Sequence, residues 1–209
     1  MVFMGRKAII VTVLVGAAVF GALDQYLGAL NQYLGPQYSS FLIETSGLSA
    51  PWLLLPFLAG ASQRAGRQAA LLGWTTTWLA VVAYSFMAAS PIEGVQQTQH
   101  AFLECLVRQW PWIAGGLITG PVYGWLGHRF RAHRSRSAGL LAALPVFLEP
   151  AGRWLTTHLG LDQLARWQFS WPPAGLGQGA ITAMVAEACL GLLLIAAMTA
   201  VARSGTRAA

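Results

Sequence analysis

The chain has 209 residues, of which 56% are hydrophobic and only 10% charged, with a net charge of +6 and a positive mean hydropathy. That composition excludes an ordinary soluble globular domain and points to a helical membrane protein. The basic excess does not read as a nucleic-acid surface, because Arg and Lys fall in short clusters between apolar runs, as in cytoplasmic loops.

A first span is expected over Ala8 to Leu30, behind Arg6 and Lys7. A charged start before an apolar run also describes a signal peptide, but the remaining chain is membranous too, so an uncleaved span is expected. Ala17, Gly21, Asp24 and Gly28 recur at 4-3-4 spacing, which places the acid on the small-residue face that packs against neighbours. Tyr26 lies near the end of this span, and Tyr33 and Tyr38 follow in a polar connection suited to the membrane–water interface. The second span, Ser40 to Ser62, carries Glu44 and Trp52, and its Gly47, Pro51 and Pro56 predict a broken helix. Arg64 and Arg67 then mark a basic loop. A third span, Ala69 to Ala89, contains Trp74, Trp78 and Tyr84 and stops at Ser90–Pro91. The polar stretch from Glu93 to Gln109, with His100, Glu104 and Arg108, suits an interfacial helix in part.

The fourth span, Trp110 to Gly127, has Trp112, Gly116, Gly120 and Gly124 at four-residue steps, so another backbone can approach closely along that face. Arg129, Arg131, Arg134 and Arg136 follow as the densest basic cluster. The fifth span, Ala138 to Leu159, contains Glu149, Pro150 and Arg153. An ionisable residue within a span costs roughly 2.5–3.5 kcal/mol on insertion scales, so it faces protein or a wet cavity and marks a functional site by default. Glu149 and Arg153 share one helix face and can pair. Pro150 lacks an N–H, which frees the Val146 carbonyl and predicts a kink. The blander alternative is a buried ion pair that only fixes packing. A loop with Asp162, Arg166, Trp167 and Trp171 leads to a sixth span, Gly175 to Ala202, followed by Arg203 and Arg207.

The basic clusters fall at alternate ends of these spans, which puts all of them on one side. The expectation is therefore an all-α, polytopic bundle of about six transmembrane helices in the cell membrane, one domain, with both termini cytoplasmic. Pro51–Trp52–Leu53 with Gly60 also echoes Pro111–Trp112–Ile113 with Gly120, a weak sign of helix-pair repetition.

Chemistry centres on the acids. Gly175, Gly179, Ala183, Glu187 and Gly191 form a stripe in which Glu187 is the one charged member, with no basic residue within two turns. Kept from water, such an acid is expected to be neutral and able to donate a proton, whereas Glu149 beside Arg153 is expected to be ionised. Glu187 can equally serve as a hydrogen-bonding contact between helices. Asp24 and Glu44 are further acids embedded in spans. Trp52, Trp112, Trp154 and Trp171, with Tyr26, supply aromatic faces that suit a cationic ligand or a carbocation, though an interfacial aromatic belt explains tryptophans at span ends as well. The four histidines show no ligand spacing, so no metal is expected, and the two cysteines, Cys105 and Cys189, show neither metal spacing nor a paired framework. No cofactor-binding loop or diphosphate motif is present.

The runs Pro51–Ala61, Gly120–Arg129 and Phe147–Pro150 resemble small actinobacterial membrane proteins of unknown function. In size, apolar character and buried acids beside aromatics, the chain is similar to the small integral-membrane terpene cyclases of bacterial indole-terpenoid and fungal meroterpenoid pathways. That resemblance implies protonation of an epoxide or alkene of a polyprenyl substrate by a carboxylic acid, without metal or soluble cofactor. Six spans rather than seven departs from the fungal pattern, and no catalytic position is carried over. Within this reading Glu187 is the expected donor, Glu149 oriented by Arg153 the counter-charge or base, and Glu44 and Asp24 substitutes in either role. The partners are then a lipophilic isoprenoid and membrane lipid, with a homo-oligomer as an option and nucleic acid excluded. The size and span count also resemble the vitamin-binding subunits of energy-coupling-factor transporters, in which the small residues of the first span would dock a transmembrane partner. A structural membrane protein without ligand is the third alternative.

Overall fold

The computed structural model describes residues 6–30, 33–34, 49–159 and 178–206, and the described residues form helices and their connections, with no strand. Among them are seven α-helices: α1 (Arg6–Ala29), α2 (Ser49–Ala61), α3 (Gly66–Ala88), α4 (Gln99–Arg108), α5 (Trp110–His133), α6 (Arg136–His158) and α7 (Gln178–Thr206). A 3-10 turn, Pro91–Glu93, joins α3 to α4. Three helices are long and apolar enough to cross a membrane, over Lys7–Ala29, Gly66–Ala88 and Ile181–Ala200. Helices α5 and α6 have 24 and 23 residues. Each is therefore about 35 Å long, enough for the hydrocarbon core, although polar and basic residues dilute their apolar character.

Helix α2 departs from expectation. It has 13 residues and runs unbroken through Pro56. Pro51 sits in its first turn, where a missing N–H removes no helical bond. At about 20 Å it is too short to cross alone. The rest of the expected second span, including Glu44, lies outside the described residues.

Helices α2, α3 and α5 form the centre of the bundle, α1 lies on α3, and α7 lies on α6. Glycine sets the closeness of the central contacts. A Cβ added at Gly116 would sit 2.8 Å from Thr77 Cγ2, and one at Gly120 would sit 2.9 Å from Thr77 Oγ1 and 3.1 Å from the Gly73 carbonyl oxygen. At Gly124 it would run into the Ala69 backbone, and at Gly60 into Gly124 itself. The four-residue glycine ladder is thus a helix–helix seam, as expected from its spacing. On α1, the expected small-residue face packs inward too, with Gly21 directly against the Ala80 backbone. That face is occupied within the chain at Gly21.

The same contacts fix helix directions. Gly21 meets Ala80 and Asp24 reaches the start of α2 and the end of α3, through Trp52 beside Tyr84, so α1 and α3 run parallel. Helix α5 is antiparallel to α3 (Gly116 at Thr77, Gly124 at Ala69), and α2 crosses α5 closely (Gly60 at Gly124, Gly127 at Phe57). Helix α7 is antiparallel to α6, with Gly191 at Phe147 and Gly139 at Met198. The α2–α3 and α5–α6 connections consequently meet at one end. There Arg131 donates to the Ala61 carbonyl at 2.8 Å. His128 Nδ1 lies 3.1 Å from the Gln63 carbonyl, an acceptor that calls for a proton on that nitrogen. Helix α5 continues past Gly127 to His133 and takes in Arg129 and Arg131 of the predicted basic loop, with Arg131 and His133 in the last turn at the negative end of the dipole, while Arg136 opens α6.

The outer surface of the bundle is apolar. Val11, Val15, Val19 and Leu23 form an exposed stripe on α1, and Leu141, Leu144 and Leu148 another on α6. Exposed apolar faces of this extent suit hydrocarbon rather than water.

Candidate functional site

Asp24 occupies the last turns of α1, on the face that meets α2 and α3. It is 8% exposed, and its Oδ2 accepts a hydrogen bond from Trp52 Nε1 of α2 at 3.3 Å. The Trp52 indole is in turn held edge-on by two rings, Phe20 at 5.1 Å and Tyr84 at 6.0 Å between centroids. Each side chain has a local reason to be there. Phe20 precedes Asp24 by one helical turn and shares its face, Pro51 orients the start of α2, and Tyr84 follows Ala80, the residue that receives Gly21. Three helices thus build a carboxyl group inside an aromatic cluster.

The outer end of this cluster is closed by the Pro91–Glu93 turn. Gln25, the neighbour of Asp24, is buried and donates through Nε2 to Glu93 Oε1. Tyr33 donates to the Ile92 carbonyl at 3.1 Å. Gly94, with φ of +70°, ends the turn in the left-handed region that glycine tolerates. Cys105 belongs to α4, the expected interfacial helix, which is capped by Thr98 at its start and braced by an exposed Glu104–Arg108 pair at 2.8 Å. Burial pushes the Cys105 thiol above its ordinary value.

The other predicted residues that are described lie on α1, α5, α6 and α7. Glu187 is on α7 and is the largest fully buried side chain described, 1% exposed. Its i+4 neighbour Gly191 meets Phe147, so the antiparallel register carries Glu187 to the level of the Glu149–Pro150 turn of α6. Glu149 is half-buried and Pro150 buried. The Arg153 side chain, and with it the expected pair, lies outside what is described, as do Glu44 and Trp171. Trp112 and Trp154 are 49% and 50% exposed at one end of α5 and α6, positions that suit an interfacial belt. Tyr26 is also exposed, on the opposite side of α1 from Asp24. The echo between Trp52 and Trp112 therefore does not extend to environment, because one is built into the acid cluster and the other faces outward.

Gln25, Tyr84 and Glu93 were not among the expected site residues. Glu93 is 68 residues from Gln25, and no periodicity links a turn to a helix face at that distance. Phe20 was legible, being four residues before Asp24. Among the described residues no group of three or more His, Cys, Asp and Glu side chains is placed to hold a metal ion. Comparison with protein-family models, curated proteins and solved structures finds no match to this chain.

Proposed function

We propose that the chain is a six-span integral-membrane terpene cyclase, both termini cytoplasmic, in which Asp24 protonates an isoprenoid substrate. The carrying observation is the buried Asp24 carboxyl, hydrogen-bonded by Trp52 and set among the rings of Phe20, Trp52 and Tyr84. An acid shielded from water can hold a proton for delivery to an epoxide or alkene. Aromatic faces then stabilise the resulting cation, by about 2 kcal/mol or more per desolvated contact. The indole N–H matters after transfer, because it stabilises the carboxylate left behind. A lipophilic substrate would arrive laterally from the bilayer, past the apolar outer surface of the bundle.

Glu187, buried on α7 opposite α6, is a second acid on the far side of the molecule from the aromatic cluster. It is assigned a hydrogen-bonding role between those helices, and the donor's part passes to Asp24. The test uses membranes containing the protein and an epoxidised polyprenyl or prenyl-indole compound. Cyclisation is an isomerisation, so the product should keep the substrate's mass and differ in retention and fragmentation. Asp24→Asn should lower turnover by roughly 10²-fold or more. Wild-type membranes that leave every such substrate unchanged, while a vitamin co-purifies with the protein, would replace this function with that of a transport subunit.

A further inference from the structure

The end of the bundle where the α2–α3 and α5–α6 connections meet is built around Gly66. A Cβ added there would lie 3.4 Å from Trp125 and 3.5 Å from His128, so the start of α3 seats both side chains. Arg67 follows Gly66 and Arg129 follows His128, and both arginines are exposed. One residue turns about 100° around a helix. Because α3 and α5 are antiparallel, residues that follow seam positions flank the seam on the same side in both helices. Trp74 follows Gly73 and Trp125 follows Gly124 in this way, so the flank carries an indole on each wall. Exposed Leu71 and Val122 extend it towards the middle of the helices. Helix α2 lies on the other flank, where Gly127 meets Phe57.

The charged end of this flank is held in place. Arg129 stacks on Trp125, with Cζ 5.1 Å from the ring centroid. Stacking engages the face of the guanidinium and leaves its edge N–H groups for paired bonds to a phosphate. Helix α5 is tied to the neighbouring connection by the Arg131 bond to Ala61 and the His128 contact with Gln63. Among the described residues, neither connection contains an acid that would compete for the arginines.

We propose that the flank between α3 and α5 seats an anionic phospholipid, its phosphate on Arg67 and Arg129 and its acyl chains along Leu71, Trp74, Trp125 and Val122. The side chains follow such a lipid from headgroup to tail: cations, interfacial indoles, then hydrocarbon. A free phosphate would satisfy the arginines and leave the apolar walls unused. A zwitterionic lipid would bring its own cation to two arginines, so charge complementarity selects a lipid with net negative charge. Asp24 is at the opposite end of α3, and the lipid seat stands or falls independently of the cyclase reading.

For the test, the purified full chain is placed in bilayer discs of equimolar phosphatidylcholine and phosphatidylglycerol. Lipids that remain bound after gentle release are counted by native mass spectrometry. The wild type should retain phosphatidylglycerol over phosphatidylcholine. Arg67→Gln and Arg129→Gln should each lower that preference about fivefold, the effect of one basic side chain at an anionic lipid surface. Arg129→Lys should lower it as well, since an ammonium keeps the charge and loses the planar fork. Arg136→Gln removes the same charge from the start of α6, which packs on the α2 flank through Ala138 and Ala142, and should leave the preference unchanged. Chain-brominated phosphatidylglycerol locates the lipid with every arginine intact. It should quench tryptophan fluorescence more than brominated phosphatidylcholine does, and the excess should vanish when Trp74→Phe and Trp125→Phe are combined. Equal retention of the two lipids by the wild type would overturn the proposal. So would equal losses in Arg136→Gln and Arg129→Gln, the mark of a diffuse basic surface, or release of the lipid by inorganic phosphate, the mark of a site for a free anion.

Discussion

Trp52 is the residue on which the site turns, since it connects the carboxyl of α1 to the rings of α1 and α3 through one indole. Trp52→Phe keeps the aromatic surface and removes the N–H, and the expected outcome is a slower reaction with little change in stability. A neutral hydrogen bond is worth about 0.5–1.5 kcal/mol, so turnover should fall roughly threefold to tenfold; unchanged turnover would show that the indole bond has no part in the chemistry. Glu187→Gln should retain turnover, because glutamine preserves the shape and hydrogen-bonding reach of a side chain held between α6 and α7. Loss of product in that variant, with Asp24→Asn active, would return the donor to α7. Cys105 adds a pH-dependent readout. Its thiol is raised by burial, so less thiolate is present at a given pH than for a free cysteine, and alkylation should climb at higher pH than for a model thiol. An ordinary thiol titration curve would place Cys105 in open water.

At the scale of elements, the glycine seam between α3 and α5 carries the sharpest expectation. Gly120→Leu must push against Thr77 and the Gly73 backbone, and Gly124→Ala against Ala69, whose backbone cannot turn aside. Overpacking of this kind costs roughly 1–3 kcal/mol and should lower the melting temperature of the detergent-solubilised protein. Gly115 is the control, one position from the seam with nothing within 4 Å of an added Cβ. Gly115→Ala should be neutral or stabilising, by up to about 1 kcal/mol from helix propensity. Equal melting points for the Gly124 and Gly115 variants would contradict the packing described.

For the whole molecule the decisive quantity is which end faces which compartment. The basic connections of α2–α3 and α5–α6 meet at one end, and the Pro91–Glu93 turn with α4 lies at the other. Single cysteines placed at Ser135 and Gln97 in a protein lacking its native thiols should react with an impermeant maleimide from opposite sides of sealed vesicles. Gln97 should label from outside and Ser135 only after the membrane is opened. Labelling of both from one side would sink the alternating topology.

Local pattern alone determined that the chain is helical and apolar, where most helices lie, and which faces of α1 and α5 pack. These follow from composition and from spacings within one helix, such as Ala17–Gly21–Asp24 and Gly116–Gly120–Gly124, because a face is set by residues three and four apart. Helix ends were less legible. Helix α5 runs on through Arg129 and Arg131 because a water-exposed last turn bearing basic residues is still a good helix. Tertiary structure decided which acid meets which aromatic side chain. Folding brings Asp24 and Trp52 together with Tyr84, sets Gln25 against Glu93, and carries Glu187 of α7 to the level of Glu149 on α6. Those contacts depend on how the helices and a turn stack in space, a long-range arrangement that no periodicity within a single helix encodes.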